Sequence, residues 1–346
     1  MDNRTKAIFV TGGTGLLGSH LIYKLISTGE QVRAIHRKTS NREILEKVIS
    51  YYKGDKDKLL RLVEWIECDI SDYDMLEKTM EGAEVVYHCA AVVSFENRQK
   101  DYVLDNNIKG TSNIVKACFA NKIRKLCHVS SNAALGAYDG ESMVNETHGW
   151  DEEGYRSPYG TSKYLSEQEV WKGIREGLNA VIVNPTIILG PGGWNRGSSS
   201  FFPKIYSGLL FYTSGTNGYV DVNDVVTAMI ILTKSDISGE RFIVNAENLN
   251  YGRFFTMIAK SLKVRRPLIK VPKALSYLAL PMVSVLEILS KGKTTLTKEM
   301  LKVAWSRITY DNSKLIKYTG FSFTPIEKTV KAIGEIFLED MKKIPR

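Results

Sequence analysis

Short apolar runs alternate with stretches of helical periodicity through the first half of the chain. Strands are expected at residues 7–10, 31–35, 61–66, 84–89, 125–130 and 180–184, several of them apolar at nearly every position. A strand without polar alternation is covered on both faces, as in a parallel sheet held between helix layers. Helical spacing falls between these runs, at 15–27, 42–51, 74–80, 101–120 and 157–175. Alternation of this kind predicts βαβ units and an α/β fold with a doubly wound parallel sheet.

The alternation weakens after Gly190-Pro-Gly-Gly193. A loop-rich stretch runs through Ser198-Ser-Ser200, followed by a strand pattern at 218–222 and a helix pattern at 224–233. From residue 251 the spacing is mainly helical. The expected organisation is a sheet-bearing core over 1–190 and a smaller, mainly helical substrate-binding region over 191–346, with 218–246 returning to the core.

Composition changes this picture little. The chain has 346 residues, 43% hydrophobic and 25% charged, which suits a soluble globular protein with a sizeable core. The four cysteines have no metal-ligand spacing and read as reduced core residues, so no metal is expected. The first strand begins within a few residues of the start, no leader pattern precedes it, and a cytoplasmic protein is expected. No uninterrupted apolar stretch is long enough to span a bilayer.

Charge is more informative. The net charge is +9, and residues 251–346 hold 19 Lys and Arg against 7 Asp and Glu. Such a balance favours an anionic partner or a solvated basic face. Nucleic acid is not expected, because no recognition motif accompanies the charge.

Thr11-Gly-Gly-Thr-Gly-Leu-Leu-Gly18 lies between a predicted strand and a predicted helix. The spacing of Gly12, Gly15 and Gly18 suits a sharp turn, close approach of backbone to a pyrophosphate, and tight helix-on-strand packing. The helix start, with Leu16 and Leu17, offers free N–H groups and a positive dipole to phosphates. This is the dinucleotide fingerprint of a Rossmann core. Where an NAD-binding strand carries an acid for the ribose, this chain reads His36-Arg-Lys38. Arg37 suits a 2′-phosphate, so NADP(H) is favoured over NAD(H).

Ser157-Pro-Tyr-Gly-Thr-Ser-Lys163 opens a predicted helix with Tyr159 and Lys163 four residues apart, on one face. An ammonium near a phenol lowers its pKa and makes it a usable acid or base. The fifth strand ends in Val129-Ser-Ser131, where one hydroxyl can donate to a carbonyl oxygen.

These motifs, with Cys68-Asp-Ile70, His88-Cys-Ala-Ala91 and Asn107-Ile-Lys-Gly-Thr111, resemble the extended short-chain dehydrogenase/reductase family in order over about residues 5–245. The resemblance implies Ser131, rather than Ser130, as the catalytic serine and Tyr159 as the proton donor. It implies that Lys163 lowers the tyrosine pKa and holds the nicotinamide ribose. Asp69 and Ile70 would lie by the adenine, Ala90 and Ala91 by the ribose and phosphates, and Pro185 by the cofactor. Val183-Asn-Pro-Thr-Ile-Ile-Leu-Gly-Pro191 is similar to the dihydroflavonol reductase and 3β-hydroxysteroid dehydrogenase branch. Asn132-Ala133 stands where sugar-nucleotide dehydratases carry an Asp-Glu pair, and no arginine precedes 218–224 to grip a diphosphate.

Three functions follow from this reading. The first is a reductase or dehydrogenase acting on the ketone or secondary alcohol of a small, lipophilic or polyol-type substrate. The second is a nucleotide-sugar epimerase with bound NAD, and the third a non-catalytic dinucleotide sensor. Residues 143–150 and 198–215 are expected to line the substrate pocket. Residues 274–289 are strongly apolar, with basic flanks. They read either as helices closing that pocket or as a surface in peripheral contact with an anionic membrane. Expected partners are thus a small-molecule substrate, an anionic membrane and a second copy of the chain as a homodimer.

Overall fold

Every pairing in the central sheet is parallel. Its strands are β1 (Ala7–Thr11), β2 (Val32–His36), β3 (Val63–Glu67), β4 (Ala83–His88), β5 (Lys125–Val129), β7 (Ala180–Pro185) and β11 (Glu240–Val244). They lie in the order β11-β7-β5-β4-β1-β2-β3. The chain builds outward from β1 to β3, then returns to β4 on the other side of β1 and builds outward again. That reversal opens a crevice at the carboxyl ends of β1 and β4. The computed structural model describes residues 7–93, 99–136, 143–150, 157–275 and 304–343.

Neighbouring side chains of each strand enter opposite layers. Phe9, Val86, Leu126 and Ile182 join one buried cluster with α4 (Tyr73–Thr79), α5 (Lys100–Ala120) and α6 (Pro158–Arg175). Val10, Tyr87, Cys127 and Val183 join the other, with α1 (Leu16–Ser27), α2 (Glu43–Tyr51) and α8 (Val222–Lys234). β5 and β7 are buried along their whole length. Each large apolar side chain so buried stabilises the fold by about 1.5–3 kcal/mol. The expected α/β, doubly wound Rossmann sheet is therefore the one observed.

A second, three-stranded sheet follows β7 in the chain. β8 (Ile187–Leu189) pairs in parallel with β10 (Thr216–Asp221), and β10 pairs antiparallel with β12 (Glu247–Asn250). α7 (Phe201–Tyr206), α9 (Tyr251–Leu262) and the last helix, Ile326–Lys343, enclose a third core around Phe202, Tyr219, Phe254 and Phe337. Two short ribbons complete the region: β9 (Phe211–Tyr212) with β13 (Ile269–Lys270), and β6 (Met143–Val144) with β14 (Thr309–Tyr310). β11 returns from this region to the central sheet beside β7.

One element differs from expectation in kind. A short helix, α3 (Lys56–Leu60), precedes β3, capped by Asp55 accepting from the Lys58 N–H at 3.2 Å. Residues 61–62, expected in the strand, complete its exit instead. The apolar run at 274–289 lies outside the described residues from 276 onward. Among the described residues, no helix is long and apolar enough to cross a membrane, and no His, Cys, Asp or Glu group of three gathers for a metal. All four cysteines are free thiols.

Candidate active site

The glycine loop sits on the crevice. Gly12 has φ +69, and a Cβ there would meet the Ala90 amide nitrogen at 2.6 Å. Any side chain would therefore push β1 away from the loop that leaves β4. A Cβ on Gly18 would overlap the Gly12 carbonyl oxygen, so α1 packs directly on the turn. The turn is closed by the Gly15 N–H donating to Gly12 O at 2.9 Å. Gly15 itself is exposed and has no side-chain cap bond, which leaves the first N–H groups of α1, at Leu16 and Leu17, available to an anion.

Ala90 and Ala91 lie on the opposite wall. The Ala90 N–H donates to Thr11 Oγ1 at 3.1 Å, and that hydroxyl is bonded to His88 Nδ1 at 2.8 Å. His88 Nε2 meets Thr111 Oγ1 at 3.1 Å, so α5 fixes the strand end from below. Asn107 ties this wall to the neighbouring helix. It accepts from the Val92 N–H at 2.7 Å and donates to Val92 O at 3.0 Å and Ser162 Oγ at 2.9 Å. Ser162 in turn donates to Tyr159 O at 2.8 Å.

Asp69 and Ile70 follow β3. The Asp69 carboxylate accepts from the Ser71 N–H at 2.9 Å, and Asn113 on α5 donates to Ile70 O at 3.0 Å. Arg37 is exposed at the carboxyl end of β2, the strand beside β1. Pro185 closes β7 and is buried.

Tyr159 stands in the first turn of α6. Ser157 caps that helix by accepting from the Gly160 N–H at 2.8 Å, and Pro158 presets its first φ. Burial pushes the Tyr159 phenol above its ordinary value, and a hydrogen bond with the Ser131 hydroxyl opposes the shift. Ser131 leaves β5 just before a short 3₁₀ turn, Asn132–Leu135, and caps it through the Ala133 N–H at 3.2 Å.

Lys163 is 3% exposed and donates to Val129 O at 2.7 Å. Burial pulls its ammonium down to about 8, with Glu167 and Cys89 acting the other way. The fold thus brings Ser131, Tyr159 and Lys163 to one edge of the sheet. The influences on the phenol are burial and Ser131; the Lys163 ammonium is engaged by the β5 carbonyl.

Ser130 points elsewhere, donating to Glu167 Oε2 at 2.7 Å. Glu167 also accepts from Asn184 at 2.9 Å, Trp171 at 3.1 Å and Arg241 at 3.1 Å. Asn184 donates as well to Ser131 O at 3.0 Å. Arg241 reaches on to Glu146 O at 2.6 Å and His148 O at 2.7 Å, pinning part of the 143–150 segment. The sequence reading missed this network, although Glu167 continues the four-residue spacing of Tyr159 and Lys163.

Residues 8–245, well over half of the chain, match the family described as NAD dependent epimerase/dehydratase. Sterol demethylase protein B of Methylococcus capsulatus is 28% identical over 271 residues, covering 77% of each chain. A putative dihydroflavonol 4-reductase of Synechocystis is 26% identical, over 93% of this chain and 92% of that one. The crystal structure of gox2253 superposes with a TM-score of 0.81 at 25% identity, covering 97% of this chain and 98% of the other. DesIV of Streptomyces venezuelae, a dTDP-glucose 4,6-dehydratase, has a TM-score of 0.75 at 17% identity, covers 97% and 98% of the two chains, and shares the fold. The resemblance to extended short-chain dehydrogenases and reductases is borne out, and the chain belongs to the NAD dependent epimerase/dehydratase family.

Proposed function

We propose that the protein is an NADPH-dependent reductase acting on the ketone of a small substrate, or on the matching secondary alcohol in reverse. The observation that carries this reading is the hydrogen bond between Ser131 and Tyr159 on the sheet edge that also bears the glycine loop. The crevice fits a dinucleotide: a Cβ on Gly12 or Gly18 would collide with backbone, and the start of α1 presents unbonded N–H groups. A bound nicotinamide dinucleotide supplies the hydride to the carbonyl carbon.

The chain's own residues handle the oxygen. Ser131 donates a hydrogen bond to it as negative charge develops, and Tyr159 gives up the phenolic proton that completes the alcohol. Lys163, on the same face of α6 as Tyr159 and cationic below about pH 8, is the group this reading assigns to favour the phenolate that remains. The relatives named for reduction, the Synechocystis dihydroflavonol 4-reductase and an anthocyanidin reductase of Arabidopsis thaliana, support a carbonyl substrate. Arg37, exposed at the end of β2 in the run His36-Arg-Lys38, supports the 2′-phosphate form of the cofactor.

The test is a screen of ketones and alcohols for NADPH consumption or formation, with UDP- and GDP-sugars as controls. On any substrate found, Tyr159→Phe is expected to lower kcat by at least ~10²-fold, the scale of general acid–base catalysis. Arg37→Asp is expected to turn the preference toward NADH. A Tyr159→Phe enzyme with near-normal kcat sinks the mechanism, and tighter NADH than NADPH binding by the unaltered protein sinks the cofactor assignment.

A further inference from the structure

The β9–β13 ribbon exposes apolar side chains on both its faces. Phe211 and Ile269 are in register and so point to the same side. They are 52% and 49% exposed. Leu210 and Leu268, one position earlier on each strand, face the other side at 57% and 67% exposure. The ribbon is held by backbone bonds: the N–H groups of Leu268 and Ile269 both donate to Leu210 O at 3.1 Å, and Val271 N–H donates to Tyr212 O at 2.8 Å. Single exposed leucines are ordinary on a protein surface. Four large apolar side chains, two on each side of one short ribbon, make it an apolar tip of the kind that marks an interaction site.

The surroundings of the patch are cationic. From Tyr251 to Leu275 the chain carries seven Lys and Arg and no Asp or Glu, and residues 206–216 contain no acid either. Arg265 and Arg266 precede β13 and Lys270 ends it, all three exposed. Beside the ribbon runs an open groove of about 850 Å³ whose lining includes Arg253, Arg266, Lys270 and Arg307. Glu327 also lines it, paired with Lys260 at 3.2 Å.

We infer that this face docks on an anionic lipid bilayer, with Leu210, Phe211, Leu268 and Ile269 entering the interface and the basic rim meeting lipid phosphates. An apolar tip bounded by cations is what interfacial binding requires. A second copy of the chain is disfavoured as the occupant, because it would set the same cations against each other. The inference does not depend on the reaction proposed above.

Co-sedimentation of the full chain with vesicles tests it. One set is phosphatidylcholine alone, the other phosphatidylcholine with equal phosphatidylglycerol. Binding is expected to the anionic vesicles at low salt and to fade as salt is raised. The Arg266→Ala, Lys270→Ala double variant should bind the anionic vesicles about thirtyfold more weakly, from two lost surface cations. Leu268→Asp with Ile269→Asp should abolish binding, while thermal melting reports that the exposed substitutions leave the fold intact. No binding to anionic vesicles at low salt overturns the inference, as does salt-insensitive binding to both vesicle types. Self-association that the Leu268→Asp, Ile269→Asp variant abolishes, without vesicle binding, overturns it in favour of a second copy.

Discussion

Glu167 is a buried carboxylate, 1% exposed, one helical turn beyond Lys163. Four donors satisfy it: Ser130, Asn184, Trp171 and Arg241. A buried charge persists only when paired and hydrogen-bonded in this way. Its second effect is on Lys163, whose ammonium it favours against the pull of burial. Glu167→Gln keeps the shape and removes the charge. It leaves Arg241 without its ion-pair partner, so a loss of about 3 kcal/mol in unfolding free energy is expected. With the carboxylate gone, the Lys163 pKa should fall below about 8. The alkaline limb of kcat against pH that requires the ammonium should then move to lower pH. A purely structural role would lower kcat without moving that limb, and an unmoved limb counts against Glu167 as a positioning residue. Tyr159, Lys163 and Glu167 share a helix face and were open to sequence reading through their spacing. Arg241 was not, because its approach depends on the register of β11 beside β7 and on a separation of 74 residues.

The first turn of α6 carries Tyr159, the proposed proton donor, and two serine hydroxyls hold it. Ser157 accepts the Gly160 N–H, while Tyr159 O is anchored by Ser162 and, through it, by Asn107 on α5. Ser157→Ala should cost about 1 kcal/mol of stability, the usual worth of an N-cap. Because the frayed turn includes Tyr159, kcat should fall several-fold while Ser157→Asp, another good cap, restores both. Urea unfolding alongside turnover measures this, and stability lost with kcat unchanged would detach the cap from the chemistry. α5 was legible because its periodicity extends over many residues, and β7 because its run is apolar at nearly every position. The ribbons β6, β9, β13 and β14, of two residues each, have no period to read. α3 was hidden for the same reason, its five residues marked only by the Asp55 cap.

At the scale of the whole molecule, three of the five histidines are buried in the core, at 1% exposure each: His20, His88 and His128. Burial lowers His20 and His88 to about 3 and holds His128 well below its ordinary value, with the Lys163 charge adding to the effect on His88 and His128. An unfolded chain protonates these rings near pH 6.5, whereas the folded chain does not until far lower pH. Between those limits the unfolded state binds more protons, so stability falls as pH falls. Each ring contributes a slope of up to about 1.4 kcal/mol per pH unit, and the three together about 4. Glu146 and Asp224, raised by burial, act in the opposite sense nearer the carboxylate range and offset only part of this. Against a total stability of about 5–15 kcal/mol, the protein should unfold within roughly one to four pH units below 6.5. His20 isolates the effect, because neither ring nitrogen has a hydrogen-bond partner among the described residues, and its nearest ring, Tyr52, meets it edge-on at 5.7 Å. His20→Leu should therefore change little at pH 7 and remove one proton from the acid slope. Urea unfolding free energies at stepped pH from neutral downward give that slope directly. A His20→Leu protein with the parent's slope would show that this ring does not carry the acid sensitivity.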